Sequence, residues 1–229
     1  MAGRLLSLLA EGPRLIVSLP RNAPDLAQAA ADGGAEALKV HLHLTHDASG
    51  THFGSLAEER ENLEGIISLG LPTGIVPGAG ERLASLEEMR ELAALGMDFF
   101  DLYAHDAPAW LVGFPGMTRG VAISTPAEAD NIPDLEALGF EMIEAAIIPH
   151  GGYGSPLCAA DLVGYRQVRR ATRLPIIVPT QRAIRPEEVP VLVEEIGINA
   201  IMIGAIVTGL EPDTLRAATR RFAAALATR

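Results

Sequence analysis

The chain alternates between short apolar runs and longer stretches in which apolar residues recur every three or four positions. Eight runs predict strands: "LIVSL" (15–19), "ALKVHLHL" (37–44), "TGIVP" (73–77), "FFDLYA" (99–104), "GVAIS" (120–124), "MIEAAII" (142–148), "PIIVP" (175–179) and "AIMIG" (200–204). Strand-length apolar runs separated by helical stretches are what a parallel sheet with crossover helices requires. The intervening "PDLAQAAADGG", "SLAEERENLEGIISLG", "SLEEMRELAALG", "PAEADNIPDLEALG", "AADLVGYRQVRRATR" and "RPEEVPVLVEEIG" supply those helices, several with a cap-forming residue in front and Gly behind. After the fourth run, "DAPAWLVGFPGM" (106–117) is too short and too broken by Pro and Gly for a helix, and predicts a turn or flap. "EPDTLRAATRRFAAALATR" (211–229) predicts a closing amphipathic helix.

Eight strands over 229 residues favour one closed (β/α)8 barrel, a TIM barrel spanning 1–229, over a doubly wound α/β sheet, whose usual strand number is about five or six. An internal echo agrees. "GIVPGAGERLASLEEMRELAALGMDFF" matches "IIVPTQRAIRPEEVPVLVEEIGINAI", and "IVSLP…GGAEALKV" matches "AISTP…LGFEMIEA" more weakly. The second alignment pairs Gly34 with Gly139 and sets Lys39 against Glu144 on the second and sixth strands. Alternate strands of a barrel feed the same interior layer, so these two side chains are expected to meet across the axis.

That pairing concerns the only lysine in a chain with seventeen arginines. Strand alternation puts Lys39, His41 and His43 on one face and Leu38, Val40 and Leu42 on the other, and the apolar set must face the helices. Strand four repeats the device with Asp101, Tyr103 and His105, and strand six with Glu144 followed by His150. All six histidines fall on the C-terminal halves of strands or the loops just beyond, the end where barrels build active sites. Lys39 and Glu144 read either as a structural ion pair or as catalytic groups. In the catalytic reading the lysine is a base, a Schiff-base nucleophile, or a charged stabiliser of an oxyanion. The i, i+2 spacing of His41 and His43 suits two ligands of a divalent metal, with Asp101, His105 or Glu144 as a third. No cofactor is required by the sequence, and a divalent metal is left open. His46 and His52 read as loop residues bonded locally. "IVPGAG" (75–80) and "PHGGYGSP" (149–156) are glycine-rich loops; the second, carrying Tyr153, suits a closing loop.

A formal charge of −11 excludes a nucleic-acid partner, which needs a basic face. It leaves room for a small anionic metabolite held by local donors. The single Cys158 cannot form an internal disulfide, "RLLSLLAEGPR" is too short for a signal segment, and no apolar run approaches membrane-spanning length. The expected location is the cytoplasm, with no membrane partner. A homodimer suits the size, although no pattern specifies an interface.

"NAIMIGAIVTGLEPDTL" (199–215) resembles the last strand and helix of the ribulose-phosphate-binding barrel superfamily, which includes sugar-phosphate epimerases and aldolases. The specific part of the resemblance covers about residues 175–215. It implies an anion site in the loops after strands seven and eight, here Thr180, Gln181, Arg182, Gly204, Ala205, Thr208 and Gly209. Where that superfamily commonly has a glycine-rich loop after strand seven, this chain has "VPTQRAIRPEEV"; the side chains of Thr180, Gln181 and Arg182 then replace amides, or the ligand there is a carboxylate, or nothing binds there. The expected function is an isomerase or lyase acting on a small, phosphorylated, sugar-like or carbonyl metabolite. Lys39 and Glu144 form the central pair, and Asp101, His41, His43 and His105 shape or protonate the reacting oxygens. The alternatives are a metal-dependent hydrolase using His41 and His43, and a binding barrel without chemistry.

Overall fold

The computed structural model describes residues 3–227. Eight parallel strands close into a barrel in chain order: β1 (Arg14–Ser18), β2 (Ala37–His41), β3 (Thr73–Val76), β4 (Phe99–Phe100), β5 (Thr118–Ile123), β6 (Met142–Ala145), β7 (Ile176–Pro179) and β8 (Ala200–Ile203). Pairing of Arg14 with Ala200 through Val17 with Ile203 joins the last strand to the first. The surrounding helices are α1 (Arg4–Glu11), α2 (Pro24–Gly33), α3 (Leu56–Ile67), α4 (Leu86–Leu95), α5 (Ile132–Ala137), α6 (Ala159–Ala171), α7 (Ala205–Thr208) and α8 (Pro212–Ala227). The expected closing helix is present up to Ala227; its last two positions lie outside the described residues.

Local chemistry accounts for the element ends. Ser55 with Glu58 and Ser85 with Glu88 form reciprocal capping boxes that start α3 and α4. Gly34 and Gly139 both adopt φ of 97°, the left-handed turn that lets a chain leave a helix and enter a strand. Lys39 and Glu144 each follow five residues later.

Two crossovers differ from the simple helices expected. Residues Pro126–Asn131 form 3₁₀ turns before α5. After β7 a single 3₁₀ turn (Pro186–Glu188) gives way at Pro190 to wide π-type turns over Val191–Ile196. Pro190 has no N–H to donate, so an α-helix cannot run through it unbroken. The 106–117 stretch makes one 3₁₀ turn, Ala109–Leu111, with Leu111 and Phe114 buried and Trp110 partly exposed.

The N-terminal stretch, considered in the sequence only as a signal segment, forms α1. Its first amides, on Arg4 and Leu5, donate to the Asp98 carboxylate at 2.8 Å each. Leu5 and Leu9 thereby press against Ile16, Phe99, Met142 and Ile177 at the floor of the barrel.

Strand register sorts the lumen into layers, since positions two apart share a face. Ala37, Phe99, Met142 and Ala200 from the even strands form the lowest layer, and Ile16, Gly74, Gly120 and Ile177 from the odd strands lie above it. The next even layer is Lys39, Asp101, Glu144 and Met202, and Ser18, Val76, Ala122 and Pro179 complete the mouth. Gly74 is required: a Cβ there would sit 2.0 Å from the Phe99 ring.

Candidate active site

A cavity of about 220 Å³ opens at the C-terminal end of the strands, lined by both upper layers and by His41, His46, Tyr103 and Tyr153. Lys39, Asp101 and Glu144 lie at its base, with only 6, 2 and 7% of their surfaces exposed. Lys39 Nζ donates to Glu144 Oε2 at 2.5 Å and stands 3.7 Å from Asp101 Oδ2.

One cation among two buried carboxyls fixes the protonation pattern. Burial opposes the charge on Lys39, but Glu144 and then Asp101 outweigh it and hold the ammonium above its ordinary value of 10.5. Burial pushes the Asp101 carboxyl well above its usual range, and repulsion from Glu144 adds to that. Burial also opposes charge on Glu144, yet Lys39 overcomes it and keeps that carboxyl below its ordinary value. These shifts favour an ammonium on Lys39, a carboxylate on Glu144 and a neutral carboxylic acid on Asp101. Asp101 Oδ1 is buried without a partner.

His41 closes β2 at one side of this trio. Its backbone is tied by Asn22, which accepts from His41 N at 3.2 Å and donates to His41 O at 2.7 Å. Its ring lies between His46 and Phe53, with centroids 4.7 and 4.8 Å away, and its buried Nδ1 has no partner. Burial, then His46 and Lys39, hold His41 neutral well below 6.5. Burial and Lys39 lower His46 to about 4.

His43 is not with them. Leu42 N still pairs with Val76 O, but His43 turns to φ of 56° and its own N–H bonds Gly54 O, so the chain leaves the barrel there. Strand alternation therefore stops before His43, whose Nε2 lies 3.4 Å from Glu88 Oε1 at the start of α4. His105 lies on the outer loop, its side chain 63% exposed and its ring stacked on Tyr103 at 5.3 Å. The paired face on which a His41–His43 metal site depended is absent, and among the described residues no group of three or more His, Cys, Asp or Glu is placed to hold a metal ion.

Tyr103 and Tyr153 approach each other over the mouth, both with phenol pKa values raised, chiefly by burial. Gln181 fixes the second: its Nε2 donates to Tyr153 Oη at 2.7 Å and to Ala146 O at 3.2 Å, and its Oε1 accepts from Ile148 N.

The residues expected around an anion are largely engaged with one another. Gly204 N donates to Thr180 Oγ1 at 3.0 Å, Thr180 N to Met202 O, Thr208 Oγ1 to Gly209 O and Gly209 N to Ala205 O. Arg182 turns away to Asp161 at 2.9 Å and to Gly152 O. Thr180, Gln181, Gly204 and Ala205 line the cavity; Arg182, Thr208 and Gly209 do not. His46 and His52 are loop residues bonded locally, as expected, to Ser49 Oγ at 3.0 Å and Thr45 Oγ1 at 3.3 Å; unexpected is that His46 also lines the cavity. The hint available was its place five residues after His41, at the open end of the same loop.

No protein-family model matches the chain, and no curated protein matches it in sequence. Solved structures do resemble it. Tryptophan synthase from Mycobacterium tuberculosis superposes with a TM-score of 0.75 at 16% identity, covering 99% of each chain. The N-acetylmannosamine-6-phosphate 2-epimerase from Clostridium perfringens gives 0.62 at 18% identity, over 89% of this chain and 90% of that one. At these identities the likeness shows the fold alone: the chain is a closed eight-stranded parallel (β/α)8 barrel.

Proposed function

We propose that this chain is an enzyme that moves a proton at a carbon next to a carbonyl group of a small metabolite, as an epimerase, isomerase or lyase. The observation that carries the reading is the buried trio of Lys39, Asp101 and Glu144, in which two neighbouring carboxyls are driven to opposite protonation states. Pairs of carboxyls separated in this way divide into a base and an acid. Glu144 takes the proton, Asp101 supplies one through its carboxylic O–H, and the Lys39 ammonium stabilises the negative charge that develops on the carbonyl oxygen. Held as an ammonium against Glu144, Lys39 is a poor Schiff-base nucleophile, so the electrophilic role is the one its surroundings favour. His41 and His46, both neutral, border the same space and are placed to bond substrate oxygens. The similarity in fold to a tryptophan synthase and to a 2-epimerase agrees with this class without selecting within it.

Deuterium uptake from D2O tests the reading. Small ketones, aldehydes and phosphate esters are incubated with the protein and followed by NMR at the carbon next to the carbonyl. Exchange is expected, reduced by about 100-fold or more in Glu144→Gln, the usual scale of a general base. Undiminished exchange in a folded Glu144→Gln variant would sink the assignment.

A further inference from the structure

Resting on that reading, the phenols over the mouth supply a second point of contact with the substrate. We propose that Tyr153 binds the substrate by donating its O–H to an oxygen other than that of the reacting carbonyl, so that the enzyme selects carbonyl compounds with a second oxygen acceptor. The count of protons around Gln181 carries the inference. Ile148 N can only donate, and bonds Gln181 Oε1 at 3.1 Å; Ala146 O can only accept, and receives from Gln181 Nε2 at 3.2 Å. Two backbone groups just beyond β6 therefore fix which way the amide faces. Its remaining hydrogen is directed at Tyr153 Oη, 2.7 Å away, and that oxygen must accept.

Tyr103 completes the set. Burial raises both phenols; beyond that, the hydrogen bond between them raises Tyr103 and lowers Tyr153, the mark of Tyr103 as donor and Tyr153 as acceptor. With Gln181 and Tyr103 each donating to it, the Tyr153 oxygen has both lone pairs occupied and its own hydrogen left over. Asp47 and Glu144 oppose negative charge on this phenol, so the proton is retained. Among the described residues no acceptor takes it. His150 stacks on the Tyr153 ring with centroids 5.2 Å apart, and Tyr153 lines the same cavity as Lys39, Asp101 and Glu144. A held hydroxyl with an unspent proton beside a cavity favours a ligand that brings an acceptor to it over one that brings hydrocarbon.

The test uses the phenols as reporters. Protein labelled with ¹³Cζ-tyrosine gives signals for Tyr103, Tyr153 and Tyr165, assigned through Tyr→Phe variants; Tyr165, fully buried and outside the cavity lining, is the internal reference. The protein is titrated with methoxyacetone, whose ether oxygen accepts but does not donate, and with its homologues carrying one and two more methylene groups before that oxygen. Each is compared with the ketone in which a methylene replaces the ether oxygen. At least one ether ketone is expected to half-saturate the Tyr153 shift at a concentration about tenfold or more below its hydrocarbon counterpart. Read at Tyr103, that preference should fall below about twofold in Tyr153→Phe; read at Tyr153, it should persist in Tyr103→Phe. No preference in any pair, its retention in folded Tyr153→Phe, or its loss in folded Tyr103→Phe overturns the proposal. Deuterium uptake by the same compounds keeps the two readings apart: selective binding without exchange refutes proton transfer alone, and exchange through Glu144 without the preference refutes the role of Tyr153 alone.

Discussion

The lower and upper halves of the lumen are built by the same eight strands and have opposite characters. Below, Ile16, Phe99, Met142 and Ile177 pack against Leu5 and Leu9 of α1 in a hydrocarbon plug. Two residues further along β2, β4 and β6, the same face carries an ammonium and two carboxyls. Two residues of strand rise only about 7 Å. The plug closes one end of the lumen, so the buried charges meet solvent only through the mouth and their interactions are strengthened by the dry floor beneath them. Site and scaffold are thus offset by one step of register, with Met202 of the charged layer also joining the apolar cluster of the plug.

The largest effect should come from removing the cation. Lys39→Met leaves Glu144 and Asp101 buried together without compensation, and unfolding in urea should show a loss of about 4 kcal/mol, the scale for breaking one side of a buried pair. The double variant Lys39→Met with Glu144→Gln restores neutrality and should recover most of that stability, while proton exchange stays lost. A double variant no more stable than the single one would mean that the trio is not held by charge balance.

The plug predicts the converse. Leu5 is fully buried under the barrel, and Leu5→Ala should cost about 3 kcal/mol through lost burial and a residual cavity. Proton exchange should be unchanged in the folded fraction. A loss of exchange in that folded variant would show the two halves to be coupled.

Much of this contrast was legible in the sequence. The eight apolar runs named every strand of the barrel, though not the small antiparallel pair Gly78–Ala79 and Arg82–Leu83, and the matched spacing from Gly34 to Lys39 and from Gly139 to Glu144 pointed to two groups that the structure brings to 2.5 Å. What was not legible depends on contacts remote in sequence. On the β1 side of β2 the ladder ends at Lys39: His41 N bonds the Asn22 side chain and His43 N bonds Gly54 O, and His43 turns out to Glu88; no local pattern in "VHLHLTH" encodes that. Arg182 is drawn off by Asp161 on the next helix, and α1 acquires its meaning only from Asp98 and the open floor of the barrel. Periodicity reports which face a residue is on; it is silent about which partners claim a donor once the chain folds.

A third difference lies in pH response, and it belongs to the upper half. The folded protein keeps His46 neutral down to about 4, whereas an unfolded histidine takes up its proton near 6.5. The unfolded chain therefore binds more protons across that window, and the contribution of His46 is complete above 6.5 and lost as pH falls toward 4. Allowing for partial exposure, it amounts to about 2 kcal/mol. Asp101, held protonated when folded, contributes a slope of the opposite sign in the same range, so the raw profile conceals the effect. The difference between wild type and His46→Gln removes the Asp101 slope, which is common to both, and reports His46 together with its influence on neighbouring His41. Parallel stability profiles from pH 4 to 6.5 would place His46 in water rather than in the cavity wall.

The smallest expected effect is at the mouth. Tyr153→Phe deletes the acceptor of one Gln181 hydrogen, while Ala146 O retains the other at 3.2 Å and Ile148 N still holds the amide oxygen. The freed hydrogen lies beside an open cavity where water can take it, so the loss should be about 1 kcal/mol, below that of either lumen variant. The Gln181 side-chain amide resonances should move, whereas those of Asn22, which ties His41 from the opposite side, should not. A loss of 3 kcal/mol or more, comparable with breaking the floor, would mean that the phenol pair is part of the packed scaffold and that the division between plug and site lies higher in the barrel than the charged layer.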